Sequence, residues 1–181
     1  CLDENGIPDT AEGRLEVGRK IISRASQYGI RPEDIILDGL CMTVSSDSKG
    51  ALTTLETLRR IRDELGVGTV LGVSNISFGL PQREIINGAF FTMAMECGLG
   101  AAIINPNSEA MMRAYYSFNA LMDRDPQCSS YIERYGAVSA PAVSRAPVSG
   151  QDRNGSSVLG QASRELPQDK GAALSASIER G

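Results

Sequence analysis

The sequence predicts an α/β fold in which parallel strands alternate with helices, arranged as the second half of an eightfold (β/α)8 TIM-type barrel. Three observations predict it. Short apolar runs at 35–38, 69–73 and 101–104 alternate with longer stretches whose apolar residues recur at helical spacing. The connections between them are short, which calls for parallel strands joined by crossover helices. Each predicted strand ends in a polar residue, Asp3, Asp38, Asn75 or Asn105, and parallel α/β folds bind ligands at their C-terminal strand ends. A small open α/β sheet is the alternative. A dinucleotide-binding sheet has no support, because no G-x-G-x-x-G follows any strand.

Taken in order, residues 1–3 read as the end of a strand running into a turn at Asn5, Gly6 and Pro8. Thr10 is placed to cap a helix over 11–28, with Leu15, Ile21, Ile22 and Ala25 on its apolar side, and Gly29 to end it. The charges between Arg14 and Arg24 read as a solvated face. The strand at 35–38 precedes a helix over 52–65, where Leu55, Leu58, Ile61 and Leu65 form a stripe closed by Gly66. The strand at 69–73 leads to a helix expected from Pro81 to Cys97, with Ile85, Ile86, Ala89, Phe90, Met93 and Ala94 buried. Ser108 caps a last helix over 109–122, and 123–135 reads as partly helical. Three regions result: barrel units over 1–135, a flexible Ala/Pro/Ser/Gly-rich linker over 136–169, and the start of a further helix over 170–181, where Leu174 and Ile178 stand four apart.

Composition excludes several function classes. The 181 residues carry a net charge of −4, with no basic stripe interleaved with aromatics, so nucleic-acid binding has no support. No apolar run is long enough to cross a bilayer, so a membrane role has none either. Cys1, Cys41, Cys97 and Cys128 form no C-x-x-C pair, and a reduced, cytoplasmic setting is the default. The chain has no histidine, which rules out Ser-His-Asp, Cys-His and H-E-x-x-H chemistry within it. No metal ligand set is assigned. Chemistry must come from carboxylates, amides, hydroxyls, a partner module or a cofactor.

The stretch 72–84, Gly-Val-Ser-Asn-Ile-Ser-Phe-Gly-Leu-Pro-Gln-Arg-Glu, organises the rest. It joins a strand end to a helix start. It carries Asn75, which both donates and accepts, and Arg83, which supplies a planar fork. With Asp38 and Asn105 nearby, such groups suit a flat, nitrogen-rich heterocycle. The competing reading is that Asn and Asp after strands simply make turns. For Asp3, beside a Glu-Asn-Gly turn, that reading is favoured.

The same stretch resembles the pterin-binding domain of the cobalamin-dependent methionine synthase family. Supporting runs are Leu-Asp-Glu-Asn-Gly-Ile-Pro at 2–8, Asp-Ile-Ile-Leu-Asp-Gly-Leu at 34–40 and Ala-Ala-Ile-Ile-Asn-Pro at 101–106. The wider family includes the corrinoid iron–sulfur protein methyltransferase and dihydropteroate synthase. The resemblance implies a methyltransferase in which 5-methyltetrahydrofolate binds at a barrel mouth. Its N5-methyl passes to cob(I)alamin on another module, and from there to homocysteine on a third, giving methionine. By resemblance Asn75 sits at N5 as the catalytic group, Asp38 anchors the pterin, Arg83 lines the ring pocket and Ile104 packs near the ring. A stand-alone methyltetrahydrofolate:corrinoid protein methyltransferase and a non-catalytic folate-binding half-barrel are the alternatives. The linker and the helix start favour methionine synthase, and the Ala-Ile-Ile-Asn segment without His disfavours dihydropteroate synthase. Where the family reads Asp-Pro-Leu, this chain has Asp38-Gly39-Leu40. The first barrel half is absent from the sequence, which therefore reads as a fragment.

Overall fold

The computed structural model describes residues 1–4 and 6–136. The predicted linker beyond Gly136 and the helix start over 170–181 lie outside the described residues. The elements follow the predicted alternation: α1 (Ala11–Ser26), β1 (Ile36–Asp38), α2 (Gly50–Arg60), β2 (Gly68–Gly72), α3 (Arg83–Glu96), β3 (Ala101–Ile103), α4 (Glu109–Leu121) and α5 (Ser129–Tyr135). The sheet is parallel in the order β1-β2-β3, with Asp38 opposite Val70 and Val70 opposite Ala101.

Local chemistry explains most boundaries. The Thr10 hydroxyl accepts from the Gly13 amide at 3.1 Å and opens α1, and the Ser108 hydroxyl accepts from the Met111 amide at 3.3 Å and opens α4. α2 widens at Ile61–Leu65 into a π turn that Gly66 closes in the left-handed conformation, φ 66°. The expected start of α3 at Pro81 moves to Arg83, because Gln82 lies in the left-handed region at φ 51°, so the helix cannot continue back through it.

The strand expected at 1–3 makes no ladder among the described residues. The Cys1 ammonium donates to the Asp38 carbonyl at 3.0 Å beside β1. The chain then folds back at once, with Asp3 and Gly6 exchanging backbone hydrogen bonds.

Strand alternation sorts the side chains into two faces. Leu37, Thr69 and Leu71 are buried, with Leu71 in a core alongside Leu55, Leu58, Val73, Ile76, Phe90 and Phe91. Leu37 belongs to a second core with Leu15, Ile35, Ile61 and Val67. The helices contact their successors in sequence, α1 to α2, α2 to α3 and α3 to α4. The other sheet face is open. Ile36 is 61% and Ile103 66% exposed there, and Asp38 and Val70 are half-buried.

Two burial expectations are corrected. α3 buries Asn87, Phe90, Phe91, Ala94 and Met95, while Ile85 and Met93 stand exposed and Ile86 partly so. The helix is apolar on nearly every side, so its period does not choose a face; the two phenylalanines do. Arg14, expected in solvent, is 2% exposed and hydrogen-bonded inside. No helix among the described residues is long and apolar enough to cross a membrane.

Candidate functional site

β1, β2 and β3 all end on one side of the sheet, where Asp38 is the last residue of β1 and the loops after β2 and β3 carry Asn75, Ile104 and Asn105. β2 is the central strand, so its loop lies between the other two. It forms a 3-10 turn over Val73–Ser77 with Val73, Ile76 and Ser77 buried. Burying those three sets the turn on the core and leaves Asn75 on its exposed side. The Asn75 amide folds back over the end of β2: a Cβ built at Gly72 would meet Asn75 Nδ2 at 3.1 Å. Glycine at 72 therefore provides the room for that carboxamide, whose side chain has no hydrogen-bond partner among the described residues.

Arg83, the first residue of α3, ties the turn down. Its Nη2 donates to the Ser74 carbonyl at 2.7 Å and its Nε to the Ser77 hydroxyl at 3.0 Å. Its guanidinium lies 5.8 Å from the Phe78 ring centre. The fork expected to line a ring pocket is thus engaged in shaping the loop that carries Asn75.

Asp38 closes β1. Its Oδ1 accepts from the Leu40 amide at 2.8 Å, and Leu40 is left-handed at φ 61°. Oδ2 has no hydrogen-bond partner among the described residues. Gly39 is buried beneath this turn, where a Cβ would lie 3.2 Å from Leu58 Cδ2 and 3.4 Å from Leu71 Cδ2. The loops after β1 and β2 are laced together. The hydroxyls of Thr43 and Ser45 both donate to the Phe78 carbonyl at 2.8 Å, and the Val44 amide donates to the Ile76 carbonyl at 3.0 Å.

After β3, Ile104 is half-buried against the larger core, and the Asn105 Oδ1 accepts from the Asn107 amide at 3.0 Å. Asn105 is therefore turned to its own loop. Asp3 pairs with Lys20 at 3.6 Å beside its tight turn.

Residues 5–105 match the model of the family described as pterin-binding enzymes. The chain belongs to that family. The pterin-binding match spans all three strands, Asp38 included, and the loops with Asn75, Ile104 and Asn105, and it takes in Arg83. Among curated relatives, the methylcorrinoid:tetrahydrofolate methyltransferase of Eubacterium limosum is 32% identical over 136 residues, 74% of this chain and 49% of that protein. The methionine synthase of Mycobacterium leprae (strain TN) is 32% identical over 112 residues, 58% of this chain and 9% of that protein. That of Mycobacterium tuberculosis (strain ATCC 25618 / H37Rv) is 30% identical over 112 residues, again 58% of this chain and 9% of that protein. The chain thus spans about half the length of the first relative and about a tenth of the other two.

Three residues near these strand ends carry more than their sequence positions announce: Gly72 at the end of β2, Arg14 on α1 and Asn87 on α3. Gly72 ends β2 as the strand at 69–73 predicts, and its further role, leaving room for the Asn75 carboxamide three residues on, has only the glycine itself as a signal. Arg14 looked like one more surface charge; its neighbours Leu15, Val17 and Gly18 are all buried, which marks that side of α1 as the inner one. Asn87 is 3% exposed with Oδ1 unpartnered among the described residues, on a helix where only apolar residues were expected inside. Among the described residues no group of three His, Cys, Asp or Glu side chains is placed to hold a metal.

Proposed function

We propose that this chain is the folate-binding part of a methyltransferase, which binds 5-methyltetrahydrofolate at the C-terminal strand ends and passes its N5-methyl to cob(I)alamin on another module. The observation that carries the reading is the pterin-binding match over 5–105, a span that includes every strand end. The open sheet face, with Ile36 and Ile103 exposed, supports a sheet that forms one wall of a barrel rather than a doubly wound layer. The exposed Asn75 amide and the second oxygen of Asp38 have the polarity a pterin needs, and Ile104 offers an apolar contact beside them.

The chemistry constrains what Asn75 does. A tertiary amine is a poor leaving group, so N5 must gain a proton or a strong hydrogen bond as the methyl departs. A carboxamide does not surrender its proton, but it can donate to N5 or accept from protonated N5 as charge changes there. Asn75 is solvent-exposed, so water can deliver the proton to the atom that the amide positions. Asp38 holds the ring through Oδ2 while Leu40 engages Oδ1. Arg83 orients the turn rather than the ring. The corrinoid supplies the nucleophile, and this chain has no histidine to serve as a cobalt ligand.

The finer assignment is methionine synthase, with homocysteine on a further module as the final acceptor. A second reading, methyl transfer between folate and a corrinoid on a separate protein, has a specific observation behind it: similarity to the E. limosum enzyme extends over 136 residues, against 112 for the synthases. Both readings use the same site, run in either direction. Asn75→Ala in the complete protein is expected to lower the rate of methyl transfer at saturating folate about 10²–10⁴-fold. Stopped-flow spectroscopy of cob(I)alamin loss reads it. A weaker affinity with an unchanged saturating rate would instead make Asn75 a binding group.

A further inference from the structure

We propose that Arg14 is a positioning residue for folate binding, whose buried guanidinium holds the loop after β1 in the conformation that presents Asp38. The inference rests on the folate reading of Asp38 above. Arg14 lies on α1, away from the strand ends in sequence, yet its side chain reaches two chain segments. Nε donates to the Pro8 carbonyl at 3.0 Å, and Nη1 donates to the carbonyls of Gly39 at 3.0 Å and Leu40 at 2.8 Å. Arg14 is 2% exposed, and burying its charge is costly unless it is hydrogen-bonded, which ties its Nε and Nη1 to these three carbonyls. Burial also pushes the Arg14 pKa down, while the nearby Asp47, Asp9 and Cys41 oppose that shift.

The loop it holds needs holding. Leu40 occupies the left-handed region, which L side chains rarely adopt. The Leu40 N–H shares a peptide plane with the Gly39 carbonyl that Arg14 holds, and it donates to Asp38 Oδ1 at 2.8 Å, so fixing that plane fixes the carboxylate's direction. Two further ties reach Gly39 and Leu40, beside those that lace Thr43, Val44 and Ser45 to the loop after β2. Gly39 donates to the Val70 carbonyl at 3.3 Å, and the Thr54 hydroxyl, whose one proton is shared with the Gly50 carbonyl at 2.8 Å, reaches the Leu40 carbonyl at 3.1 Å. Without the Arg14 fork, the Gly39–Leu40 peptide plane is free to rotate, and Asp38 loses the direction its hydrogen bond to the Leu40 amide gives it.

The test is a double-mutant cycle in the complete protein, read as the dissociation constant of 5-methyltetrahydrofolate by calorimetry, with thermal unfolding as the control for fold. Asp38→Asn keeps the acceptor for the Leu40 amide and removes the carboxylate, so it tests the folate reading by itself. Arg14→Lys keeps the charge and removes the fork. Arg14→Lys is expected to weaken binding about tenfold. In the Asp38→Asn background the same change is expected to cost less than about twofold, because Arg14 acts through Asp38. Equal penalties in both backgrounds, or wild-type affinity in Arg14→Lys, overturn the proposal. Wild-type affinity in Asp38→Asn overturns the folate reading of Asp38 and the proposal with it. If Arg14→Lys loses cooperative unfolding, Thr54→Val decides the matter: it removes the other donor on the Leu40 carbonyl. It is expected to weaken folate binding two- to threefold in the native background only; no change, or equal change in both backgrounds, overturns the proposal.

Discussion

Asn75 and Gly72 act as a unit. The 3.1 Å separation between a built Cβ and Nδ2 means that Gly72→Ala displaces the carboxamide by a few tenths of an ångström without disturbing the core, since the contact is with a side-chain end. Misplacement of a group at the reacting centre costs rate rather than fold. Gly72→Ala is therefore expected to lower the saturating methyl-transfer rate about tenfold with an unchanged melting temperature, measured by stopped-flow and calorimetry on the same preparation. The placement of Asp38 and Asn75 by strand ends and of Arg83 at a helix start was legible in the sequence, because residue type and position speak together there. Arg14 was not. Its neighbours Leu15, Val17 and Gly18 mark the inner side of α1, but a lone arginine among them gives no sign of its partners at Gly39 and Leu40, more than twenty residues away. Arg83 was legible as a residue but not in its contacts, because Ser74 and Ser77 are ordinary loop serines until the turn brings them to its fork.

The helices show which sequence signals carry through to structure. Caps did: Thr10, Ser108 and Gly66 act as their residue types predict. The stripe of Leu55, Leu58 and Ile61 on α2 did as well, since charges on the opposite side left one face to bury. α3 did not, having apolar residues almost all round. α1 docks on the end of α2 through a closed ring of charges. Glu12 accepts from Arg19 at 2.9 Å and from Arg60 at 2.6 Å, and Glu64 accepts from Arg19 at 2.8 Å and from Arg60. Hydrogen bonds from these arginines hold both carboxyls below their ordinary value of 4.5. A carboxylate with a depressed folded-state pKa contributes stability above its unfolded value, lost as pH falls through the folded one. Acidification below about pH 4.5 is thus expected to lower the melting temperature more steeply in the native chain than in Glu12→Gln/Glu64→Gln. The ring is exposed, so the difference shrinks as salt rises.

At the scale of the whole molecule the governing feature is a sheet with one dressed face and one bare one. The alternation and the parallel order were legible, because strand-length and helix-length periods differ. The missing ladder at residues 1–3 was not, because a run of three apolar and acidic residues reads the same in a strand and in a tight turn. In this chain by itself Ile103 is 66% exposed, so Ile103→Lys is expected to change stability by less than about 0.5 kcal/mol. In the complete protein the barrel reading buries it, and the same substitution is expected to cost at least about 3 kcal/mol by leaving an unpaired charge inside. Parallel denaturant titrations of the two forms check it; equal small effects would mean the face stays wet. The lacing of the loops after β1 and β2 has a consequence for motion. The Phe78 carbonyl takes hydrogen bonds from both Thr43 and Ser45, and Val44 is bound to Ile76 alongside. Neither loop can lift without releasing the other, so the Val44 amide, bound across the loops to the Ile76 carbonyl, should exchange with deuterium faster once Thr43→Val and Ser45→Ala remove the ties to Phe78. A ligand that needs more room at this mouth must wait for that joint opening, and the two loops then act as one gate with one clock.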